Sequence, residues 1–102
     1  MREVGLATLD TALAAGAPVI DVRERDEYLQ VRVPGVTLIP LSEFVARADE
    51  IPDADTVYVI CAVGGRSSQA AGYLVGRGIN AVSVTGGTVA WQQSGRDVEV
   101  GV

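Results

Sequence analysis

Two residue types that carry much of enzyme chemistry are missing from this chain of 102 residues. It contains no histidine and no lysine, so all 8 of its basic side chains are arginines. Without histidine, Ser-His-Asp catalysis, Cys-His catalysis and histidine-ligated metal sites are excluded. Without lysine, Schiff-base chemistry and the phosphate-loop lysine of nucleotide hydrolases are excluded. The single cysteine excludes an intramolecular disulfide, a CxxC redox pair and a thiolate zinc site, so we expect neither a metal nor a cofactor.

Positive charge is also scarce. The 13 acidic residues outnumber the basic ones and give a net charge of −5, so nucleic acids and anionic membrane surfaces are not expected partners. Arg2, Glu3 and Asp10 interrupt the first residues, which argues against a secretory signal. The longest uncharged stretch, residues 78–95, contains polar side chains that do not suit a membrane span. Since an unpaired thiol fits a reducing compartment, we expect a cytoplasmic domain. The abundance of valine, alanine and arginine suggests a bacterial source.

The length and a hydrophobic content of 48% predict one globular domain over residues 1–102. Apolar runs rich in β-branched residues lie at residues 19–22, 36–39, 57–60 and 81–84, and a short edge strand is expected near residues 3–5. Helix-like segments lie between them at residues 8–15, 42–48, 68–77 and 88–93, with Thr8, Ser42 and Ser67 or Ser68 as the expected caps. This alternation predicts an α/β fold wound around a parallel sheet.

The most informative segment begins where the apolar run at residues 57–60 leads directly into Cys61. In α/β sheets, ligands bind at the carboxyl ends of strands. Gly64 and Gly65 can adopt positive φ, so the N–H groups of the loop can turn inward and form an anion-binding nest at the start of a helix. Arg66 can add a charged fork to this ring. The pattern therefore predicts a reactive Cys61 thiolate, although a small buried hydrophobe at a strand end is the alternative.

The segment CAVGGRS, residues 61–67, resembles the active-site loop of rhodanese-like sulfurtransferases. Three other segments resemble the same family and stand in its order: VIDVRE at residues 19–24 with EY at 27–28, VPGVTLIPL at 33–41, and TGGTVAW at 85–91. The resemblance covers nearly the whole chain, and the four segments in order make it specific. The resemblance implies a rhodanese-like α/β fold with a central five-stranded parallel sheet and helices on both faces.

The resemblance also implies the transfer of a sulfane sulfur from a donor such as thiosulfate, a polysulfide or a persulfide. Cys61 would become a persulfide and pass the sulfur to a thiol or to cyanide. The negative charge on that sulfur would be stabilised by the loop residues Ala62, Val63, Gly64, Gly65, Arg66 and Ser67. Ser67 would also cap the helix. Because no second cysteine can resolve the persulfide, the acceptor must come from outside, and a cellular thiol, a thioredoxin-like protein or a sulfur carrier is expected.

Two other functions stay open at this point. The first is a rhodanese-like module for interaction or sulfur sensing without turnover, which the presence of both Cys61 and Arg66 disfavours. The second is a phosphatase or an arsenate reductase, whose loop has the longer pattern C-x5-R. The loop from Cys61 to Arg66 has one residue fewer, and the smaller ring suits one sulfur atom better than a tetrahedral oxyanion.

Ala62 and Val63 are uncharged, where many members of the resembled family carry a polar or basic residue. We therefore expect thiosulfate, a dianion, to be a weaker sulfur donor than a persulfide on a small thiol or a protein.

Arg23 allows two interpretations. It either positions an anionic substrate at the mouth of the loop, or forms an ion pair with Glu24, Asp26 or Glu27. Asp21 is expected to accept backbone N–H bonds.

Near the end of the chain, Trp91 is expected to be a packing anchor for the last helix. Gly86 and Gly87 either line the pocket or form a plain turn from strand to helix.

Overall fold

The computed structural model describes residues 2–102, in which five strands form one sheet. They are β1 (Arg2–Val4), β2 (Val19–Asp21), β3 (Thr37–Leu38), β4 (Val57–Ile60) and β5 (Ala81–Val84). Every pair of neighbouring strands is parallel, and the order is β1-β5-β4-β2-β3. The predicted parallel α/β sheet is therefore confirmed. The strand that leads into Cys61 lies in the middle of the sheet, so both of its neighbours end beside the cysteine.

Four α-helices connect the strands and a fifth follows the last one: α1 (Leu6–Ala14), α2 (Arg25–Gln30), α3 (Leu41–Arg47), α4 (Gly65–Gly76) and, after β5, α5 (Gly87–Gln93). A 3-10 turn, Ala48–Glu50, follows α3 directly. The four predicted helices are present, but each begins one to three residues earlier than expected. No helix among residues 2–102 is long and apolar enough to cross a bilayer.

The predicted serine and threonine caps are wrong. The residues at the cap positions are Gly5, Pro40, Gly64 and Gly86, and none of them forms a side-chain cap bond. At Gly64 and Gly86 the backbone has a positive φ, of 126° and 78°, which glycine adopts without steric cost. The turn geometry therefore begins these two helices, and the hydroxyl groups one or more residues later are left for other contacts.

Helix α2 was not expected, although the sequence carries a signal for it. Glu24 and Glu27 form a capping box, in which the Glu24 side chain accepts from the Glu27 backbone and the Glu24 backbone N–H donates to Glu27 Oε1 at 3.0 Å. This reciprocal pair satisfies two N–H groups at the start of the helix.

The core lies on both faces of the sheet. On one face, α3 and α4 pack Phe44 and Leu74 against the side chains of Val57 and Val59. On the opposite face, α1 and α5 pack over β2, β4 and β5, with Leu9 and Trp91 in contact with Val19, Ile60 and Val84. The expected layering, with helices on both faces, and the packing role of Trp91 are confirmed.

Side chains alternate along a strand, so the layering also decides where each functional residue points. Cys61 belongs to the same cluster as Val57 and Val59, on the face covered by α4. Ala81 on β5 faces this cluster too, and Ser83, two residues later, lies on the same side.

Candidate active site

The candidate site is built around Cys61 at the carboxyl end of β4. The residue is 1% exposed. Its Sγ lies 3.1 Å from the backbone nitrogen of Gly64 and 3.3 Å from Ser67 Oγ. The Gly64 N–H donates to the sulfur and the thiol donates to Ser67 Oγ, so the sulfur is held at the base of the loop that joins β4 to α4.

The two glycines of the loop have different roles. Gly64 has φ of 126°, and this conformation turns its N–H toward the sulfur. Gly65 is the first residue of α4 and has no positive φ, so only one of the two glycines meets the expectation of a left-handed backbone. The conformational freedom of glycine is needed at position 64 alone.

The pKa of the Cys61 thiol lies below its ordinary value. Burial alone would raise it, and this is the largest single effect. The Ser67 hydroxyl and the backbone N–H groups of Ser67, Gly64 and Val63 act in the opposite direction and together outweigh burial. The loop therefore favours the thiolate although water is largely excluded, which is the condition for a nucleophilic cysteine.

The first turn of helix α5 forms hydrogen bonds with the carbonyl groups of the cysteine loop. The Thr88 backbone N–H donates to the Cys61 carbonyl at 2.9 Å, and the Thr88 hydroxyl donates to the same oxygen at 3.1 Å. The Val89 N–H donates to the Ala62 carbonyl at 3.0 Å. A Cβ on Gly87 would overlap both carbonyl oxygens, and its φ is 57°. Gly87 therefore borders the cysteine loop, whereas Gly86 serves as the turn before the helix.

Arg66 lies at the edge of the loop and makes a bidentate ion pair with Glu27. Its Nη1 and Nη2 donate to Oε1 and Oε2 at 2.7 and 2.9 Å. The Arg66 hydrogen bonds lower the pKa of Glu27 to about 2 and raise that of Arg66 above its ordinary value. The positive charge that was expected to complete the anion ring is thus shared with a carboxylate of α2.

Arg23 is 4% exposed and pairs with Asp21, not with the three acidic residues named as candidate partners. Its Nη2 donates to Asp21 Oδ2 at 2.8 Å and to the Val31 carbonyl at 2.7 Å, and its Nη1 donates to the Glu27 carbonyl at 3.3 Å. Asp21 accepts the backbone N–H of Arg23, as expected. All three guanidinium nitrogens donate to protein acceptors, so Arg23 connects Asp21 of β2 to the carbonyls of Glu27 in α2 and of Val31 just after it.

Sequence reasoning missed Ser83. This residue is fully buried on β5, and its Oγ lies 2.7 Å from Ser67 Oγ. The available signal was a lone hydroxyl in the apolar run AVSV, because a buried polar group normally has a specific partner.

A groove of about 400 Å³ lies at the amino-terminal edge of the sheet, away from Cys61. It is lined by loop residues that include Pro18, Pro52 and Asp55. Among residues 2–102, no group of three or more His, Cys, Asp or Glu side chains is placed to hold a metal ion. The residues that line this groove do not include the cysteine loop.

Comparison with known proteins identifies a family. The family model for the rhodanese-like domain matches residues 6–94. The chain is 32% identical over 98 residues to a sulfurtransferase of Allochromatium vinosum, covering 93% of this chain and 92% of the relative. It is 43% identical over 95 residues to the thiosulfate sulfurtransferase PspE of Escherichia coli, covering 85% and 89% of the two chains.

Among solved structures, a rhodanese-related protein of Thermoplasma volcanium superimposes with a TM-score of 0.90 at 31% identity, over 98% of this chain and 99% of that chain. Two further curated relatives are longer proteins, of which this chain spans 29% and 27%.

Proposed function

The chain belongs to the family of rhodanese-like domains, and we propose that it is a sulfurtransferase in which Cys61 carries the sulfur. The observation that carries the proposal is the geometry at the sulfur: Gly64 N–H at 3.1 Å and Ser67 Oγ at 3.3 Å, with a pKa below the ordinary value of a thiol. These groups favour negative charge on sulfur at this place. A persulfide needs the same environment, because its terminal sulfur is anionic.

The proposed reaction has two balanced steps. The Cys61 thiolate attacks the outer sulfur of the donor, an S–S bond forms, and the bond to the leaving group breaks; with thiosulfate the leaving group is sulfite. An acceptor nucleophile then attacks the outer sulfur of the persulfide and restores the Cys61 thiolate, so that cyanide yields thiocyanate and a thiolate yields its own persulfide. The thiolate form attacks without a general base, and the lowered pKa of Cys61 increases the fraction of the protein in that form.

The acceptor in this proposal is external, because the sequence has no second cysteine to resolve the persulfide. A cellular thiol, a thioredoxin-like protein or a sulfur carrier has the required nucleophilic sulfur. We place the reaction in the cytoplasm, where a reducing environment keeps the one thiol available.

We propose that the preferred donor is a polysulfide or a persulfide and not thiosulfate. Ala62 and Val63 bring no charge to the loop, and Val63 is 67% exposed. The Arg66 charge is compensated by Glu27 through two hydrogen bonds. A dianion therefore meets little net positive charge at the loop, whereas a less charged donor has a smaller desolvation cost.

A module for interaction or sulfur sensing remains the second candidate, and the burial of Cys61 favours it. With 1% of the residue exposed, a donor contacts the sulfur only after the loop atoms above it move aside. A domain that bound a partner without turnover would not need this movement. The phosphatase alternative is disfavoured by the short loop, and a test for hydrolysis of an artificial phosphate ester would address it directly.

Intact mass spectrometry distinguishes these functions. The reduced protein is incubated briefly with thiosulfate or with polysulfide, and we expect a gain of one sulfur atom, faster with polysulfide, that cyanide reverses. The Cys61→Ser variant is the matched control and should gain nothing. A folded wild-type protein with a free thiol that gains no sulfur from either donor would contradict the sulfurtransferase and favour the binding module. Faster loading by thiosulfate would contradict the donor preference alone.

A further inference from the structure

Three serine hydroxyls form a chain that ends at the Cys61 sulfur. Ser67 Oγ lies 3.3 Å from Cys61 Sγ and 2.7 Å from Ser83 Oγ. Ser68 Oγ donates to Ser83 Oγ at 3.4 Å. Ser83 is on β5, fully buried, and separated by 16 residues from Ser67 in the sequence.

Proton counting shows why Ser83 matters for the sulfur. In the thiol, Cys61 Sγ donates to Ser67 Oγ, and the Ser67 hydroxyl donates to the Gly64 carbonyl at 3.1 Å. In the thiolate the sulfur becomes an acceptor, so the one Ser67 proton has three neighbouring acceptors: Cys61 Sγ, Ser83 Oγ and the Gly64 carbonyl. If Ser83 donates across the 2.7 Å contact, Ser67 cannot donate back, and one competing acceptor is removed. A sulfur anion then attracts the Ser67 proton more strongly than the neutral carbonyl does, because hydrogen bonds to charged acceptors are stronger.

We propose that Ser83 is a positioning residue for the cysteine site: its hydroxyl donates to Ser67, so that the Ser67 proton points at the Cys61 sulfur whenever that sulfur is anionic. In the thiolate state the donors run in one direction, from Ser68 to Ser83, from Ser83 to Ser67 and from Ser67 to the sulfur. Each hydroxyl then donates once. The extension of this role to the persulfide rests on the proposed sulfurtransferase function, whereas the role toward the thiolate does not.

The charged side chains near the chain of serine hydroxyls form ion pairs in which the two charges compensate each other. Arg66 on α4 pairs with Glu27 on α2, and Asp21 pairs with Arg23 at the end of β2, next to β4. The strand β5 and the helix α5 contribute no charged side chain. Removal of the Ser83 hydroxyl changes no charge, so a resulting change in the titration of Cys61 reports the hydrogen-bond chain itself.

The experiment is a pH titration of thiolate absorbance near 240 nm. The three tyrosines also absorb there when they ionise, so the difference between the protein and a variant without the one cysteine reports Cys61. The Cys61→Ser variant supplies the blank. In Ser83→Ala we expect the pKa of Cys61 to rise. The rate of alkylation by iodoacetamide at neutral pH should fall roughly fivefold, which corresponds to the loss of one hydrogen bond. Above the pKa the two rates should converge. Ser42→Ala, with an exposed hydroxyl 3.4 Å from Glu24, is the control and should titrate like wild type.

A double-mutant cycle separates positioning from a purely structural role. Ser67→Ala should raise the pKa as well, and Ser83→Ala should add nothing in that background, because Ser83 acts through Ser67. If Ser83→Ala does not fold, Ser83→Val is the second hydroxyl-free variant, since valine suits a strand.

Three results would overturn the proposal: an unchanged pKa, an additive effect in the double variant, or a rate lowered by the same factor at every pH. Sulfur loading measured separately tests the proposed function, so either idea can fail without the other.

Discussion

The sharpest test of the loop geometry compares two adjacent glycines. Gly64 has φ of 126° and ψ of −17°, a conformation that side chains rarely adopt, whereas Gly65 is the first residue of α4 with ordinary helical geometry. A Cβ at either position meets no atom within 4 Å. Steric crowding therefore cannot distinguish the two substitutions, and only backbone strain can.

Alanine at position 64 should be costly in one of two ways. If the backbone keeps its conformation, the strain is expected to reduce the free energy of unfolding by about 1–3 kcal/mol. If the backbone relaxes, the N–H group whose nitrogen lies 3.1 Å from the sulfur turns away. The fraction of Cys61 present as thiolate at neutral pH should then fall about tenfold, which corresponds to the loss of one hydrogen bond to a charged group. Gly65→Ala should cost nothing and even stabilise by a few tenths of a kcal/mol, because alanine is the better helix former.

Urea unfolding and the thiolate titration, applied to both variants, measure the two effects. We expect Gly64→Ala to lose stability, to raise the pKa of Cys61, or both, while Gly65→Ala matches wild type in both assays. If the two variants behave alike, the positive φ at Gly64 is not required for the site, and our account of the loop is refuted.

Two other substitutions test contacts around the loop. Glu27→Gln keeps an oxygen that can cap α2 but removes the carboxylate that compensates Arg66. The rate of sulfur loading by thiosulfate should therefore rise relative to the rate with polysulfide. An unchanged ratio of the two rates would contradict the argument that Glu27 compensates the Arg66 charge. Because the pKa of Glu27 is lowered to about 2, its contribution to stability is present above about pH 4.5 and lost as the pH falls toward 2, so acid unfolding should be less steep in this variant. Gly87→Ala should lower the free energy of unfolding in urea by more than about 2 kcal/mol, because φ is 57° and the new Cβ overlaps the Cys61 carbonyl. The control is Gly72→Ala on the exposed surface of α4, which should raise that free energy by about 0.5–1 kcal/mol.

Local sequence carried enough information for the strands and the cysteine loop. The runs at Val57–Ile60 and Ala81–Val84 have the predicted bounds, because continuous apolar and β-branched residues suit a strand buried on both faces. The helix starts were harder to predict. Serine and threonine were expected to cap, but glycine turns with positive φ begin α4 and α5, and the hydroxyl of Ser67 turned to the sulfur and to Ser83 instead.

The partners of the site residues depended on the tertiary structure. Glu27 is 39 residues from Arg66 in the sequence, and Ser83 is 16 residues from Ser67. Nothing in the spacing of these residues predicts their contact. They meet because β2, β4 and β5 are parallel neighbours, so that the segments following each strand converge on one edge of the sheet.

The sequence by itself determined the parallel α/β sheet and indicated Cys61 and the glycine turn after it as the candidate site, since each depends on residues that are adjacent along the chain. The packing of strands and helices decided how far Cys61 is buried, which carboxylate compensates Arg66, and which hydroxyl lies behind Ser67. These features are contacts between segments that are distant in sequence, and only the folded sheet brings those segments within hydrogen-bond distance.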